Sequence, residues 1–373
     1  MNLPYSKKVD RWTALTVFAL VLFGIVMIYS ASVIVAHTMY GDDRYFVKRQ
    51  IIWALLGGAG AVVMANIDYH FWKKWALWML GITVFLLVAV FFFSRGEING
   101  AHRWISLPGG QSFQPSELAK LTFIVYLSAW LVERRQKLGE VVETFLPYIG
   151  VLGVIAFLML KEPDFGTLMI IVAISIAMYG VAGMTWKQVG IGVVVLVLAI
   201  GLSLTSSYRR ERVMTFLNPG SDTQGTAYQV KNIAIAVGSG GLKGLGFGQS
   251  KQKRLFLPEP FTDSIFAVIS EELGFVWAAA LILAFGFLIY RGFMIAAHAP
   301  DLFGQLLAVG ISTWFGVQAF LNLGSMVNLV PLVGVPLPFI SYGGSSLGIC
   351  LLAVGLLLNI SRFSDKQPKE KKA

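Results

Sequence analysis

Lys251 to Phe275 reads KQKRLFLPEPFTDSIFAVISEELGF, and this run marks where a helix enters an apolar layer. It begins with Lys251, Lys253 and Arg254, crosses the stiff turn Leu257-Pro258-Glu259-Pro260, and sets Thr262 and Asp263 where an apolar segment starts. Glu271 and Glu272 follow about two helical turns further in. An acid at membrane depth costs roughly 2.5 kcal/mol or more, so such residues face water-filled cavities and carry function by default. A helix N-cap is the competing role for Asp263, because Thr and Asp are favoured there and Pro260 stands just upstream.

Around this stretch the chain of 373 residues is 56% hydrophobic and only 13% charged, against roughly 25% charged in a soluble domain. Segments of roughly 20 apolar residues can span a bilayer, and the chain offers about ten of them. They are 13–35, 49–67, 75–94, 116–133, 144–161, 165–184, 188–206, 264–290, 303–327 and 340–361. Pro and Gly before Pro163 and after Val327 imply broken or re-entrant backbone at those boundaries. The expected fold class is an all-α polytopic membrane protein, about ten transmembrane helices with a long extracytoplasmic loop between spans 7 and 8. Residues 1–373 read as a single integral membrane domain, with a large outer loop at 208–263 and a basic cytoplasmic tail at 363–373.

Short loops set the orientation. With the N-terminus in the cytoplasm, Lys7, Lys8, Arg11, Lys73, Lys74, Arg134, Arg135, Lys137, Lys187, Arg291 and the tail from Lys366 to Lys372 all fall inside. That satisfies the positive-inside rule with both termini cytoplasmic. Tyr208 to Thr262 is basic yet outside, and long translocated segments escape the rule. The net charge of +10 is thus mostly topological, and nucleic-acid binding is not indicated. Cys350, the lone cysteine, lies in an apolar span as a small hydrophobe, so no disulfide within the chain is expected. The first apolar run is too long for a cleavable leader and is expected to remain as an anchor. No soluble domain is expected at either end, which places any chemistry within the bundle or at its mouths.

Several polar motifs interrupt the apolar background. Tyr29-Ser30-Ala31-Ser32 and the glycines Gly57, Gly58 and Gly60 suit close helix packing. Lys48 and Arg49 open the second span, where snorkelling to headgroups and a role at a site both fit. Between the third and fourth spans stand NGAHRW (Asn99 to Trp104) and QPSELAK (Gln114 to Lys120), with Ser116 after Pro115 as the expected N-cap. Glu117 and Lys120 are three apart on one helical face, as a self-satisfied ion pair or as the lining of a polar cavity. His102 has no partner at ligand spacing, so no metal site is assigned there. Asp164, in EPDFGT (Glu162 to Thr167), either caps the sixth helix or meets substrate.

The long outer segment carries Tyr208-Arg209-Arg210-Glu211-Arg212, then Asn218-Pro219, and then GSGGLKGLGFGQS from Gly238 to Ser250. No strand–turn–helix unit frames these glycines, which excludes a nucleotide fingerprint. Flexible backbone beside Lys243 and the arginines fits a large anion such as a lipid diphosphate, or general attraction to lipid headgroups. Near the end, Pro331, Pro336 and Pro338 precede Ser341-Tyr342-Gly343-Gly344-Ser345-Ser346. Such irregular, hydroxyl-rich backbone is tolerated only where protein or water covers it.

Taken in order, these runs resemble the FtsW/RodA family of shape, elongation, division and sporulation (SEDS) proteins. The carriers are YSAS at Tyr29 to Ser32, KRQ at Lys48 to Gln50, NGAHRWI at Asn99 to Ile105, QPSELAK at Gln114 to Lys120 and EPDFGT at Glu162 to Thr167. GSGGLKGLGFGQS at Gly238 to Ser250, LPE at Leu257 to Glu259, EELG at Glu271 to Gly274 and PLPFISYGGSS at Pro336 to Ser346 complete the set. KRQ and the GQSKQK run at Gly248 to Lys253 look more like the FtsW branch than the RodA branch. One departure is Phe261-Thr262-Asp263-Ser264, where the family commonly has His-Thr-Asp-Phe; Asp263 itself is kept.

The resemblance implies a peptidoglycan glycosyltransferase that polymerises lipid II at the cell membrane during cell division or elongation, by inverting β-1,4 transfer with release of undecaprenyl diphosphate. It makes Asp263 the catalytic base for the acceptor sugar's 4-hydroxyl. A diphosphate leaving group needs positive charge more than a proton, so the acid–base pair of glycoside hydrolysis is not required. Arg103, Lys120 and Arg210 would offset that charge, with Glu117 orienting Lys120. Asp164, Lys243, Glu259, Ser341, Tyr342 and Ser345 complete the expected substrate-binding set. A divalent cation, Mg or Mn, could join them, although the sequence offers no dedicated ligand cluster. The implied partners are a class B penicillin-binding protein acting as transpeptidase, and other membrane proteins of the divisome or elongasome. The alternatives are a lipid II flippase with the same charges lining its path, and a non-catalytic scaffold for a transpeptidase. The absence of repeated halves, the gathering of charge on the outer side and the retained Asp263 favour the enzyme.

Overall fold

The computed structural model describes residues 9–93, 103–107, 111–203, 207–217, 226–254 and 256–363. Asn99 to His102, Asn218, Pro219, Gln224 and the basic tail beyond Phe363 lie outside them. In chain order come α1 (Arg11–Tyr40), α2 (Tyr45–Asn66) and α3 (His70–Phe93), then an antiparallel hairpin of β1 (Ile105–Leu107) and β2 (Gln111–Phe113). They are followed by α4 (Pro115–Glu133), α5 (Leu146–Lys161), α6 (Phe165–Ala182), α7 (Trp186–Ser203), α8 (Ser207–Leu217) and α9 (Thr226–Ser239). The last three are α10 (Ile265–Ala297), α11 (Leu302–Met326) and α12 (Gly344–Ser361).

Each of the ten expected apolar segments is a helix, α1 to α7 and α10 to α12. Among the described residues, 8 helices are long and apolar enough to cross a membrane; α4 and α7 are the other two of the expected set. α4 carries the buried pair Glu117 and Lys120. Nearly all of it is buried, against α3, α6, α11 and α12. Gln114, not Ser116, occupies the N-cap position of α4, with Pro115 in the first turn; the Ser116 hydroxyl is turned to another partner.

The longest seam joins α2 to α12, and small residues make it. A Cβ on Gly355 would lie 2.3 Å from the carbonyl oxygen of Ala61, and one on Gly57 would lie 2.9 Å from the Cα of Gly348. Gly60 meets Leu352, whereas Gly58 has nothing near it. Polar groups bind one end of the bundle. Arg291 Nη2 donates to Asp10 Oδ1 at 2.8 Å, and Tyr69 and His70 both reach Asp301, the N-cap of α11. Asn359 Nδ2 donates to Ala65 O, and Asn359 Oδ1 accepts from Tyr69 N, each at 2.9 Å.

α10 is broken near its start, and the glycine run fills the break. Gly274 has φ 77°, a left-handed value open to glycine, and the helix cannot close its hydrogen bonds across it. The carbonyls of Glu271 and Glu272 instead accept from Leu245 N and Gly246 N, both at 2.9 Å. The amides of Phe275 and Val276 donate to Gly241 O and Leu242 O at 2.8 and 3.3 Å. Expected as flexible backbone, the run is therefore pinned to α10 at four points. Its glycines are needed for contact as much as for bending: a Cβ on Gly240 would lie 1.9 Å from Ser270 O.

Because the Ala61 backbone cannot retreat from a methyl group, Gly355→Ala should destabilise the bundle by about 1–3 kcal/mol. Gly58→Ala should be neutral or stabilise by up to about 1 kcal/mol, since alanine is the better helix former. Thermal unfolding of the two variants in detergent checks the contrast.

Candidate active site

Asp263 lies in the turn that leads into α10, opposite the irregular stretch between α11 and α12. The N-cap position of α10 belongs to Ser264, without a side-chain capping bond, so the Asp263 carboxylate is not spent on the helix end. Three successive carbonyls of the turn are held from different directions. Tyr342 N donates to Phe261 O at 2.8 Å, Ser341 Oγ to Thr262 O at 2.6 Å, and Asn322 Nδ2 to Asp263 O at 2.8 Å. Asn322 Nδ2 also donates to Val335 O at 2.8 Å, and Ser341 Oγ accepts from Leu337 N at 2.8 Å. Gln50 Nε2, from α2, donates to Ser341 O at 3.2 Å. The Asp263 backbone is thus mounted on α2, α11 and the proline-rich stretch together.

Gly334, with φ 73°, lets that stretch pass close to the acid. A Cβ there would lie 3.1 Å from Asp263 Oδ2 and 3.6 Å from Arg212 Nη1. Arg212 is anchored by its Nη1, which donates to Leu332 O at 2.9 Å. Burial is the main cause that pushes the Asp263 carboxyl up to about 6, and the neighbouring Glu259 adds to it; Arg212 and Arg103 pull it down, while Asp164 raises it. Asp263 keeps some accessible surface, yet the atoms packed around it leave little room for hydrating water.

Arg103 closes one side by donating from Nε to Glu162 O at 2.9 Å and from Nη2 to Pro163 O. Asp164 is the N-cap of α6: Oδ1 accepts from Thr167 N at 3.3 Å, and Oδ2 accepts from Ser116 Oγ at 2.7 Å and Gln114 Nε2 at 3.1 Å. Ser345 Oγ accepts from Gln114 N at 3.2 Å, which ties α12 to the same corner. Glu162 is fully buried, and neither carboxyl oxygen has a hydrogen-bond partner among the described residues. Burial, with Asp164 nearby, pushes its carboxyl up to about 8 against the opposing pull of Arg103. Glu259 is exposed and accepts from Thr262 Oγ1 at 3.2 Å.

The remaining expected residues lie elsewhere. Glu117 and Lys120 are enclosed in the bundle and bond to each other at 2.9 Å, and Lys120 Nζ also donates to Gln318 Oε1 at 2.8 Å. Gln318 Nε2 donates on to Pro336 O at 2.8 Å, so the pair supports the proline-rich stretch from beneath. Arg210 is exposed on α8, because at about 3.6 residues per turn it and Arg212 point in opposite directions. Lys243 is exposed on the glycine run beside Gly274, about 14 Å along α10 from its start. Among the described residues, no group of at least 3 His, Cys, Asp or Glu is arranged to hold a metal ion, so no step is assigned to a protein-held cation.

The profile of the cell cycle protein family of FtsW, RodA and SpoVE matches residues 11–366. The chain belongs to the FtsW/RodA family. It is 43% identical over 354 residues to the probable peptidoglycan glycosyltransferase FtsW of Trichlorobacter lovleyi, covering 94% of this chain and 93% of that one. It is 40% identical over 363 residues to stage V sporulation protein E of Bacillus subtilis, covering 96% and 99%. Among solved structures it is similar to a chain of a peptidoglycan synthase complex that coordinates polymerization and crosslinking, with TM-score 0.80, 28% identity and coverage of 97% and 100%.

Within this FtsW/RodA fold, sequence reasoning passed over Arg212, Glu162, Gln318 and Asn322. Trp314, Gln318 and Asn322 are spaced by four, and the two amides on one face of an apolar span were the available signal. Lys120→Met leaves Glu117 and Gln318 facing each other without a cation, and should cost about 3–5 kcal/mol of stability. Lys120→Met combined with Glu117→Gln should cost much less, as read by thermal unfolding in detergent.

Proposed function

We propose that this chain is a peptidoglycan glycosyltransferase that polymerises lipid II, with Asp263 as its general base. The supporting observation is the Asp263 carboxyl, left free of the helix cap and set beside the anchored guanidinium of Arg212, with burial raising it to about 6. The acceptor's 4-hydroxyl attacks the anomeric carbon of the donor sugar as the bond to the diphosphate breaks. The hydroxyl proton passes to Asp263, and undecaprenyl diphosphate leaves with the bonding electrons. Arg212 and Arg103 offset the charge that builds on the diphosphate oxygens. A base that titrates near 6 is a carboxylate at neutral pH and still a useful proton acceptor.

The site opens on the outer side, and the end bound by Asp10, Arg291 and Asp301 is cytoplasmic, with both termini there. A class B penicillin-binding protein is the partner this reading requires, since a glycan polymer needs crosslinking; the likeness to a synthase-complex chain supports it. The FtsW and sporulation names of the two relatives favour the division branch over the elongation branch.

The test is polymerisation of labelled lipid II by the purified full chain with its transpeptidase. Asp263→Asn should lower the rate about 100- to 10,000-fold, the usual worth of a general base. Equal polymer from that variant would remove Asp263 as the base. Transfer of lipid II across vesicle bilayers without polymer would favour a flippase.

The pH dependence has a defined sign. Because the carboxylate is the active form, the rate should rise with pH through about 6. Glu259→Gln removes a like charge and should move that limb to lower pH. Arg212→Met removes an opposing charge and should move it to higher pH. The limbs of the pH–rate profiles of the three proteins check both directions.

A further inference from the structure

Glu271 and Glu272, two adjacent acids buried in α10, have no part in the transfer step. Both hold the turn that follows the glycine run. Glu271 Oε2 accepts from Ser250 Oγ at 2.5 Å and Gln252 N at 3.3 Å, and its Oε1 accepts from Lys251 N at 3.0 Å. Glu272 Oε1 meets Lys253 Nζ at 2.6 Å, with the two side chains 0% and 2% exposed. Ser30 Oγ, from α1, donates to Glu272 Oε2 at 2.6 Å and accepts from Lys253 Nζ at 3.0 Å. All three groups of this cluster are satisfied by one another, across three separate parts of the chain.

A buried ion pair of this kind gives little net stability, because its desolvation offsets its attraction; geometric specification is its best-attested use. Here the geometry it specifies is that of a ring. Lys253 and Glu272 are 19 positions apart, and Asp263 lies near the middle of the segment they close. The far side of that ring is mounted on Asn322, Ser341 and Tyr342 through the carbonyls of residues 261 to 263. The near side is held where the ring is closed, by the bonds of Glu271 and Glu272 to residues 250–253 and by Ser30 of α1, and at Phe256 O, which accepts from Asn232 Nδ2 of α9 at 3.1 Å.

We propose that Lys253, Glu272 and Ser30 form a positioning clamp that closes the Asp263 ring and sets the acid's placement against the bound acceptor. The clamp rests on the reading of Asp263 as the base. It touches no substrate, so it acts on the rate of transfer and not on binding. A displacement of about 1 Å at a reacting group can cost about 100-fold in rate.

The experiment uses the full chain with its transpeptidase and labelled lipid II, and scales kcat to folded protein measured by size-exclusion chromatography. The neutral pair Lys253→Met with Glu272→Gln leaves neither partner as an unpaired buried charge. It should lower kcat about 100-fold with KM within about twofold. Lys253→Arg keeps the charge and should retain most of the rate. Ser30→Ala, a small change on a helix that folds readily, should lower kcat about threefold to tenfold with KM unchanged, and decides the matter if the neutral pair does not fold. Wild-type kcat in either the neutral pair or Ser30→Ala overturns the clamp. So does a loss confined to KM. Asp263→Asn is run alongside: if it alone retains wild-type activity, the base assignment has failed, whereas a dead Asp263→Asn beside a fully active neutral pair condemns the clamp and leaves the base standing.

Discussion

A backbone amide or carbonyl within a bilayer has no water to bond with, and the break in α10 exposes two of each. Their satisfaction by the glycine run is the constraint on which the rest of the Asp263 end of the bundle depends. It explains Gly240 and Gly244, where a Cβ would lie 1.9 Å from Ser270 O and 2.1 Å from Glu272 O, whereas Gly241, Gly246 and Gly248 serve the turns through their positive φ. It also explains why residues 241–246 do not hang free. Once spliced to α10, the run carries residues 250–253 down to the paired acids, and the chain returns through the Leu257–Pro260 turn to Asp263.

The second mount of Asp263 is equally dependent on polar groups in apolar helices. Gln318 and Asn322 lie one turn apart on α11 and direct their amides to Pro336 O, Val335 O and Asp263 O. Lys120 and Glu117 complete the chain from α4, with Lys120 also lying 4.8 Å from the ring centre of Trp314. None of these residues needs to meet substrate to matter. They hold the irregular stretch at 327–343 in a conformation that lipid would not tolerate and that a regular helix could not provide.

Much of this architecture was legible from the amino acids, and the reasons for the exceptions are physical. The apolar segments declared themselves by length, because roughly 20 residues are needed to cross hydrocarbon. Asp263 stood out as an acid at an apolar boundary. Side-chain direction was harder. Arg210 and Arg212 are equivalent by composition, and only the phase of α8 turns Arg212 toward Asp263 while leaving Arg210 exposed. Ser116 looked like a cap for α4 but serves Asp164, because the hairpin before α4 brings Gln114 and Ser116 against the start of α6. Glycine content signalled flexibility and delivered a tightly bonded splice, since composition cannot tell open space from close approach.

The distribution of charge around the site follows from the same limits. Where a carboxyl is buried with both oxygens unpartnered, as at Glu162, burial drives it toward the neutral form despite the pull of Arg103. Where a carboxyl must ionise near neutral pH, arginines have to be close enough to offset burial but not so close as to remove its basicity. Asp263 meets both conditions, with Glu259 and Asp164 raising it and Arg212 and Arg103 restraining it. On the proposed reading of Asp263 as the base, the arginines have a second use, because the charge that restrains the base is the charge a diphosphate leaving group requires. In that proposal one electrostatic arrangement tunes the base and receives the leaving group, so that a single acid suffices where a glycosidase needs two.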